Sequence, residues 1–215
     1  MNIYIMRHGE TAGNEKGIFQ GWYDSDLNQS GIELAEETGR GMKGIRFDKA
    51  FSSSLIRAYH TAQLVLENSG NSDVEIIQDD RLKEIGVGIY EGKVFRGENA
   101  EVPKDIYNGF FEDPFHFPGW EGGETIEQLL ERTQSFLQWL ITQDYENVLV
   151  ATHGCTMRAL LNSVYENPQD YWHGHVPYNC AVNIVHVDGN GMKLIADDKI
   201  YYDPAKCIDR FAPRK

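Results

Sequence analysis

Short apolar runs alternate with longer amphipathic stretches through most of this chain, and that alternation constrains the fold more than any other feature. Residues 3–6 read as a buried strand, followed by strands at about 49–52, 74–77 and 147–152. Between them lie helix patterns. One runs from an N-cap at Ser30 to about residue 43, with Ile32, Ala35 and Thr38 or Gly39 facing inward. Another is capped by serines 52 to 54 and runs to about residue 68, with an apolar stripe of Leu55, Ala58, Ala62, Val65 and Leu66. A third spans about 124–143, with Ile126, Leu129, Leu130, Leu137, Leu140 and Ile141 on one face. A fourth is opened by His153-Gly154 and extends to about residue 164. Residues 181–187 and 192–200 flank Asp188-Gly189-Asn190-Gly191, a hairpin signal. Strands that alternate with helices predict a three-layer α/β/α sandwich on a mainly parallel sheet, closed by a late antiparallel hairpin.

The 215 residues are enough to bury a core without disulfides. One domain over 1–215 is expected. Residues 12–28 read as a loop and 79–92 as irregular. Residues 93–123 hold Phe95, Tyr107, Phe110, Phe111, Phe115, Phe117 and Trp120 between Pro103, Pro114 and Pro118. They read as an insertion or lid over a pocket, or as a small aromatic satellite core. Lys plus Arg is 20 against 33 Asp plus Glu, a net charge of −13. Such a surface repels nucleic acid and anionic lipid, while leaving room for one local basic pocket. Cys155, Cys180 and Cys207 are odd in number and contain no Cys-x-x-Cys, against a disulfide framework or a thiolate zinc site. The apolar start is too short for a signal peptide and no run reaches a membrane span, so a cytoplasmic protein is expected. The C-terminal tail, with Lys206, Arg210, Arg214 and Lys215, is expected to be partly mobile.

In such sheets ligands bind beyond the carboxyl ends of the strands. Three segments follow strands directly: Arg7-His8, residues 52–57, and His153-Gly154. Together they supply two histidines, Arg7 and Arg57. Guanidinium forks match phosphate oxygens, imidazole can attack phosphorus, and helix starts after Ser54 and Gly154 add N–H donors. The chemistry this implies is phosphoryl transfer, which also needs a proton for the leaving oxygen. By chain position Glu84 is the first candidate for that acid and Glu124 the reserve. His60, His116, His173, His175 and His186 read as ordinary core or surface histidines, and Cys155 as a small buried hydrophobe. His8 and His153 have no third ligand at helical spacing, so no metal is expected.

Arg7-His8-Gly9-Glu10-Thr11 resembles the signature of the histidine phosphatase superfamily, the phosphoglycerate mutase-like proteins. The resemblance continues in family order through Asn14 and residues 19–27, then residues 52–58 with Thr61-Ala62. It goes on through Leu82, Glu84, Gly88, Glu91 and Gly92, then Gly123-Glu124-Thr125 with Glu127 and Arg132, and finally Thr152-His153-Gly154 with Arg158. It implies that His8 is the nucleophile and forms a phosphohistidine. It implies that Arg7, Arg57 and His153 bind the phosphoryl group, and that Glu84 serves as acid and then as base for water. Asn14, Gln20 and Gly21 would line the same pocket, with Gly154 beside them. Glu10, Thr11 and Glu124 would stand behind, the two glutamates orienting the cations. No metal and no other cofactor is implied. The partners are a small phosphorylated substrate and inorganic phosphate as product; a homodimer stays open.

Three departures bear on the reaction. A cofactor-dependent phosphoglycerate mutase would be expected to carry Tyr where Val87 stands, Lys where Phe95 stands, and an Arg-Arg pair within 93–123, which contains none. Lys93, Arg96 and Lys104 are the candidate substitutes. A phosphate-only site favours transfer to water. The expected function is therefore a metal-independent phosphomonoesterase on a small metabolite, with a partly apolar leaving group suited to the aromatic segment. The alternatives are a mutase and a non-catalytic phospho-ligand module.

Overall fold

The computed structural model describes residues 1–208; the expected tail cations Arg210, Arg214 and Lys215 lie outside the described residues. The strands are β1 (Asn2–Arg7), β2 (Lys49–Ser52), β3 (Ile76–Gln78), β4 (Asn147–Thr152), β5 (Val182–Asp188) and β6 (Gly191–Lys199). They form one sheet in the order β3-β2-β4-β1-β5-β6. Strands β3, β2, β4 and β1 run parallel, while β5 and β6 form the antiparallel hairpin.

The central strands β1 and β4 are apolar at nearly every position because both sheet faces are covered. Alternation decides which helix each side chain meets. Tyr4 and Met6 pack with Leu34 and Ala35 of α2 (Gln29–Gly41) and with Ala62, Val65 and Leu66 of α3 (Ile56–Ser69). Ile3 and Ile5 point to the other face. There they meet Phe136, Leu137 and Leu140 of α5 (Ile126–Leu140) and Met157, Leu160 and Leu161 of α6 (Gly154–Leu161). This is the three-layer sandwich. A separate apolar cluster joins Phe19, Phe95, Phe110, Phe117 and Trp120 to Leu129 and Cys155, and it includes a further helix, α4 (Lys104–Glu112).

Local boundaries differ from the sequence reading for reasons of capping. The expected loop 12–28 opens with a short helix, α1 (Ala12–Lys16), started by a reciprocal cap between Thr11 and Asn14. Helix α2 is capped by Asn28, whose side chain accepts from the Gly31 amide, so Ser30 lies inside the helix. Ile32 is only half-buried there. Leu55 precedes α3 with no side-chain cap. The serines are engaged otherwise: the Ser52 hydroxyl donates to Ser53 O, Ser53 Oγ accepts from the Leu55 amide, and the Ser54 hydroxyl donates to Asp80. Strand β3 starts later than expected. Helix α5 starts behind a Thr125–Gln128 capping box, so Glu124 lies outside it. Both α5 and α6 also end a few residues earlier than their periodicity suggests.

Candidate active site

Strand register brings the two histidines together. Arg7 pairs with Thr152 at the carboxyl ends of β1 and β4. His8 and His153 therefore leave the sheet side by side, with ring centroids 5.1 Å apart. Both are buried. His8 Nδ1 lies 2.6 Å from the Gly9 carbonyl oxygen. A carbonyl can only accept, so Nδ1 carries the proton and Nε2 carries the lone pair. Burial, then the charges of Arg57 and Arg7, hold His8 well below the usual imidazole range. At neutral pH this is an uncharged imidazole with its Nε2 lone pair available for attack. The Gly9 amide donates to Thr61 Oγ1 at 2.9 Å, and the Thr61 hydroxyl donates to Arg57 O at 2.6 Å. One hydroxyl thus ties the loop that follows His8 to the helix that carries Arg57.

His153 is likewise held well below its usual range, by burial first and then by Arg57 and His8. Neither of its ring nitrogens has a hydrogen-bond partner among the described residues. Arg7 is buried and donates through Nη1 to Pro177 O. Its guanidinium lies against Gly154, where an added Cβ would stand 2.9 Å from Val176 Cγ1 and 3.5 Å from Arg7 Nε. Arg57 sits deep in the fold. It is 1% exposed, and its Nη atoms donate to the carbonyls of Gln20, Gly21 and Tyr23. Its Nε has no partner among the described residues. Burial pulls its pKa down to about 10, so it stays charged at neutral pH. Arg57 Nε and the protonated nitrogen of His153 are thus buried donors with no partner among the described residues, a costly arrangement that an oxyanion within reach would relieve.

Glu84 lines the same cleft from the turn that follows Leu82, with its carboxylate against the first amides of α6. Its carboxylate accepts from the amides of Ile85, Cys155 and Thr156 and lies 3.1 Å from Thr156 Oγ1. Burial pushes the neighbouring Cys155 thiol well up, so it stays protonated. Asn14 Oδ1 accepts from Thr11, and Gln20 Oε1 accepts from Thr11 Oγ1 and Ser25 Oγ. Gly21 is required by close packing: a Cβ there would stand 2.4 Å from Glu91 Oε1 and 2.4 Å from Ile85 O. The Glu10 carboxylate accepts from Asn28. Glu124 pairs with Arg132 at 2.8 Å, so the cation it orients is Arg132.

A cleft borders this cluster, with about 550 Å³ of empty space when its open mouth is included. Part of its wall is polar, formed by Arg7, His8, Asn14, Gln20, Glu84 and Gly154. The rest of its wall is largely apolar and includes Phe19, Val87, Phe95, Phe110, Phe111 and Trp172. Arg57 and His153 are buried and do not line the cleft. Residues 3–197 match the family model of the histidine phosphatase superfamily, branch 1. The chain belongs to that family. A relative named "Putative phosphoserine phosphatase 2", from Hydrogenobacter thermophilus, is 32% identical over 92% of this chain and 95% of its own length. A 2,3-bisphosphoglycerate-dependent phosphoglycerate mutase of Parvibaculum lavamentivorans is 34% identical over 74% of this chain and 77% of its own. Among solved structures, Bacillus stearothermophilus YhfR superposes with a TM-score of 0.83 at 28% identity, covering 93% of this chain and 97% of that one. The phosphoserine phosphatase of Entamoeba histolytica, in complex with 3-phosphoglyceric acid, gives 0.75 at 26% identity, covering 92% and 96%. This histidine phosphatase superfamily member thus has both phosphatases and mutases among its relatives.

Several residues of this family member's site carry no local sequence signal. Asn179 donates to His8 O at 3.0 Å across 171 positions of sequence. Pro177 receives Arg7 from the same loop. Among the described residues no group of three or more His, Cys, Asp or Glu is arranged to hold a metal ion. No helix among them is long and apolar enough to cross a membrane.

The buried neutral histidines make stability depend on pH. Both have folded pKa values lowered from the usual 6.5. Below about pH 6.5 the unfolded chain therefore binds protons that the folded site refuses, so stability falls as pH falls. The loss is expected to set in below about pH 6.5 and to approach about 1.4 kcal/mol per pH unit for each histidine that stays neutral in the fold, compared between pH 7.5 and 5.5. Urea midpoints of wild type and His8→Asn/His153→Asn across that range check this. The variant should lose markedly less; parallel curves would contradict neutral histidines.

Proposed function

We propose that this chain is a phosphomonoester hydrolase that works through a phosphohistidine on His8. The observation that carries the reading is the apolar wall of the cleft. Val87 and Phe95, the positions that depart from the mutase pattern, both line it. The candidate substitute cations do not. Lys93 pairs with Glu101 at 3.0 Å, Arg96 donates to the carbonyls of Asn14 and Glu15, and Lys104 is exposed at the start of α4. A mutase must hold a second anionic group of its substrate, and among the described residues this wall offers no cation for it.

The steps follow from the geometry. The Nε2 lone pair of His8 attacks phosphorus, and the P–O bond to the leaving group breaks with its electron pair going to oxygen. That oxygen takes a proton from Glu84. Arg7 supplies donors that meet the phosphoryl oxygens as charge moves onto them, and the buried charge of Arg57 nearby stabilises that charge further. Glu84 then accepts a proton from water, whose oxygen attacks phosphorus. The N–P bond breaks, its pair returns to Nε2, and inorganic phosphate leaves. Cationic side chains take the position a magnesium ion occupies in other phosphoryl-transfer sites, so turnover is expected to persist with a chelator present.

The apolar wall also bears on substrate. Placing a carboxylate there unpaired costs about 3 kcal/mol or more, which is about a hundredfold in rate. Phenyl phosphate should therefore exceed phosphoserine and 3-phosphoglycerate in kcat/KM by about that factor. Equal turnover of all three, or a preference for phosphoserine, would overturn the assignment of an apolar leaving group.

A further inference from the structure

We propose that Arg132 is a positioning residue for the proton-transfer step, fixing the turn that carries Glu84; this rests on the phosphatase reading above. Arg132 lies on α5, outside the cleft lining. Its Nη1 donates to the carbonyls of Arg81 and Lys83, each at 2.8 Å. Its Nη2 donates to Glu84 O at 3.0 Å. The rest of the fork binds Glu124 in bidentate fashion, Nε to Oε1 at 2.8 Å and Nη2 to Oε2 at 2.9 Å. Glu124 Oε2 in turn accepts from the Gly86 amide at 2.9 Å. One ion pair therefore holds the turn from both sides of Glu84, through three carbonyls before the bend and one amide after it. The indole of Trp22 adds a further donor to Glu84 O at 2.9 Å.

A planar guanidinium is suited to this task, because its donors diverge at fixed angles towards several acceptors at once; an ammonium cannot reproduce them. The need for rigidity lies in the chemistry. When the P–O bond breaks, its electron pair goes to the leaving oxygen, and the Glu84 proton must be within hydrogen-bond reach at that moment. A displacement of about 1 Å costs about a hundredfold. That cost appears only when the leaving group needs the proton. A 4-nitrophenolate departs without it, whereas a benzyl alkoxide does not.

The test uses the full chain with two apolar esters, benzyl phosphate and 4-nitrophenyl phosphate. Arg132→Met should lower kcat/KM about a hundredfold for the benzyl ester and less than about fivefold for the nitrophenyl ester. Arg132→Lys should give the same skew at smaller size, and it serves as the test if the Met variant does not fold. Glu84→Gln should show the skew more strongly. The double variant should be no slower than Glu84→Gln alone, because Arg132 acts through Glu84. Inhibition by orthovanadate, which reports the phosphoryl pocket, should stay within about twofold of wild type. Equal losses for both esters, or additive losses in the double variant, would mean Arg132 only supports packing and would overturn the proposal. A wild-type protein that hydrolyses neither ester would instead overturn the phosphatase reading.

Discussion

His8→Ala, folded as wild type, is expected to lose phosphatase activity by about 10⁴-fold or more. No other imidazole can replace it. His153 is fully buried and does not line the cleft, and it has no carbonyl fixing its tautomer as Gly9 O fixes that of His8. The phosphoenzyme should vanish together with turnover. Wild type mixed with an aryl phosphate and quenched should carry an acid-labile, base-stable phosphoryl group, and the variant should carry none. Retention of even a tenth of the activity would remove His8 from the mechanism.

Arg57→Met should cost about 10³-fold in kcat/KM. Arg57 serves the site in three ways. Its Nη atoms hold the 20–23 loop through the carbonyls of Gln20, Gly21 and Tyr23. Its Nε is buried and has no hydrogen-bond partner among the described residues. Its charge is the largest after burial in lowering both histidine pKa values. The third contribution fixes a sign. Without Arg57 the His8 pKa rises, so His8 protonates at higher pH and the acid limb of the kcat/KM profile moves upward. A loss under tenfold with an unmoved acid limb would show that Arg57 stands too deep to act on the reaction.

Much of the architecture was legible in the sequence. The apolar runs of β1 and β4 and the stripes of α3 and α5 stand out because burial on both sheet faces demands them. The convergence of His8 and His153 followed from two strands whose carboxyl ends each carry a histidine. Helix starts were less legible, because Asn28 and Ser30 are both competent caps and only the Gly31 amide decides between them. The depth of Arg57 was hidden, since an arginine on an amphipathic helix gives no sign that its fork will meet three carbonyls of a distant loop. Arg132 stood within a recognisable block, yet its task depends on the backbone of residues 81–86. Asn179 gave no signal, because its contact with His8 exists only once β5 lies beside β1.

The central claim is tested most directly by one comparison on the wild-type protein with a chelator present. Phenyl phosphate and 3-phosphoglycerate are supplied separately, and free phosphate and isomerised phosphoglycerate are read together. The account predicts phosphate release from phenyl phosphate, slower release from 3-phosphoglycerate, and no isomerisation. Isomerisation that depends on a bisphosphorylated primer and outruns phosphate release would contradict it, and would mean that Val87 and Phe95 do not exclude a second anion from the cleft.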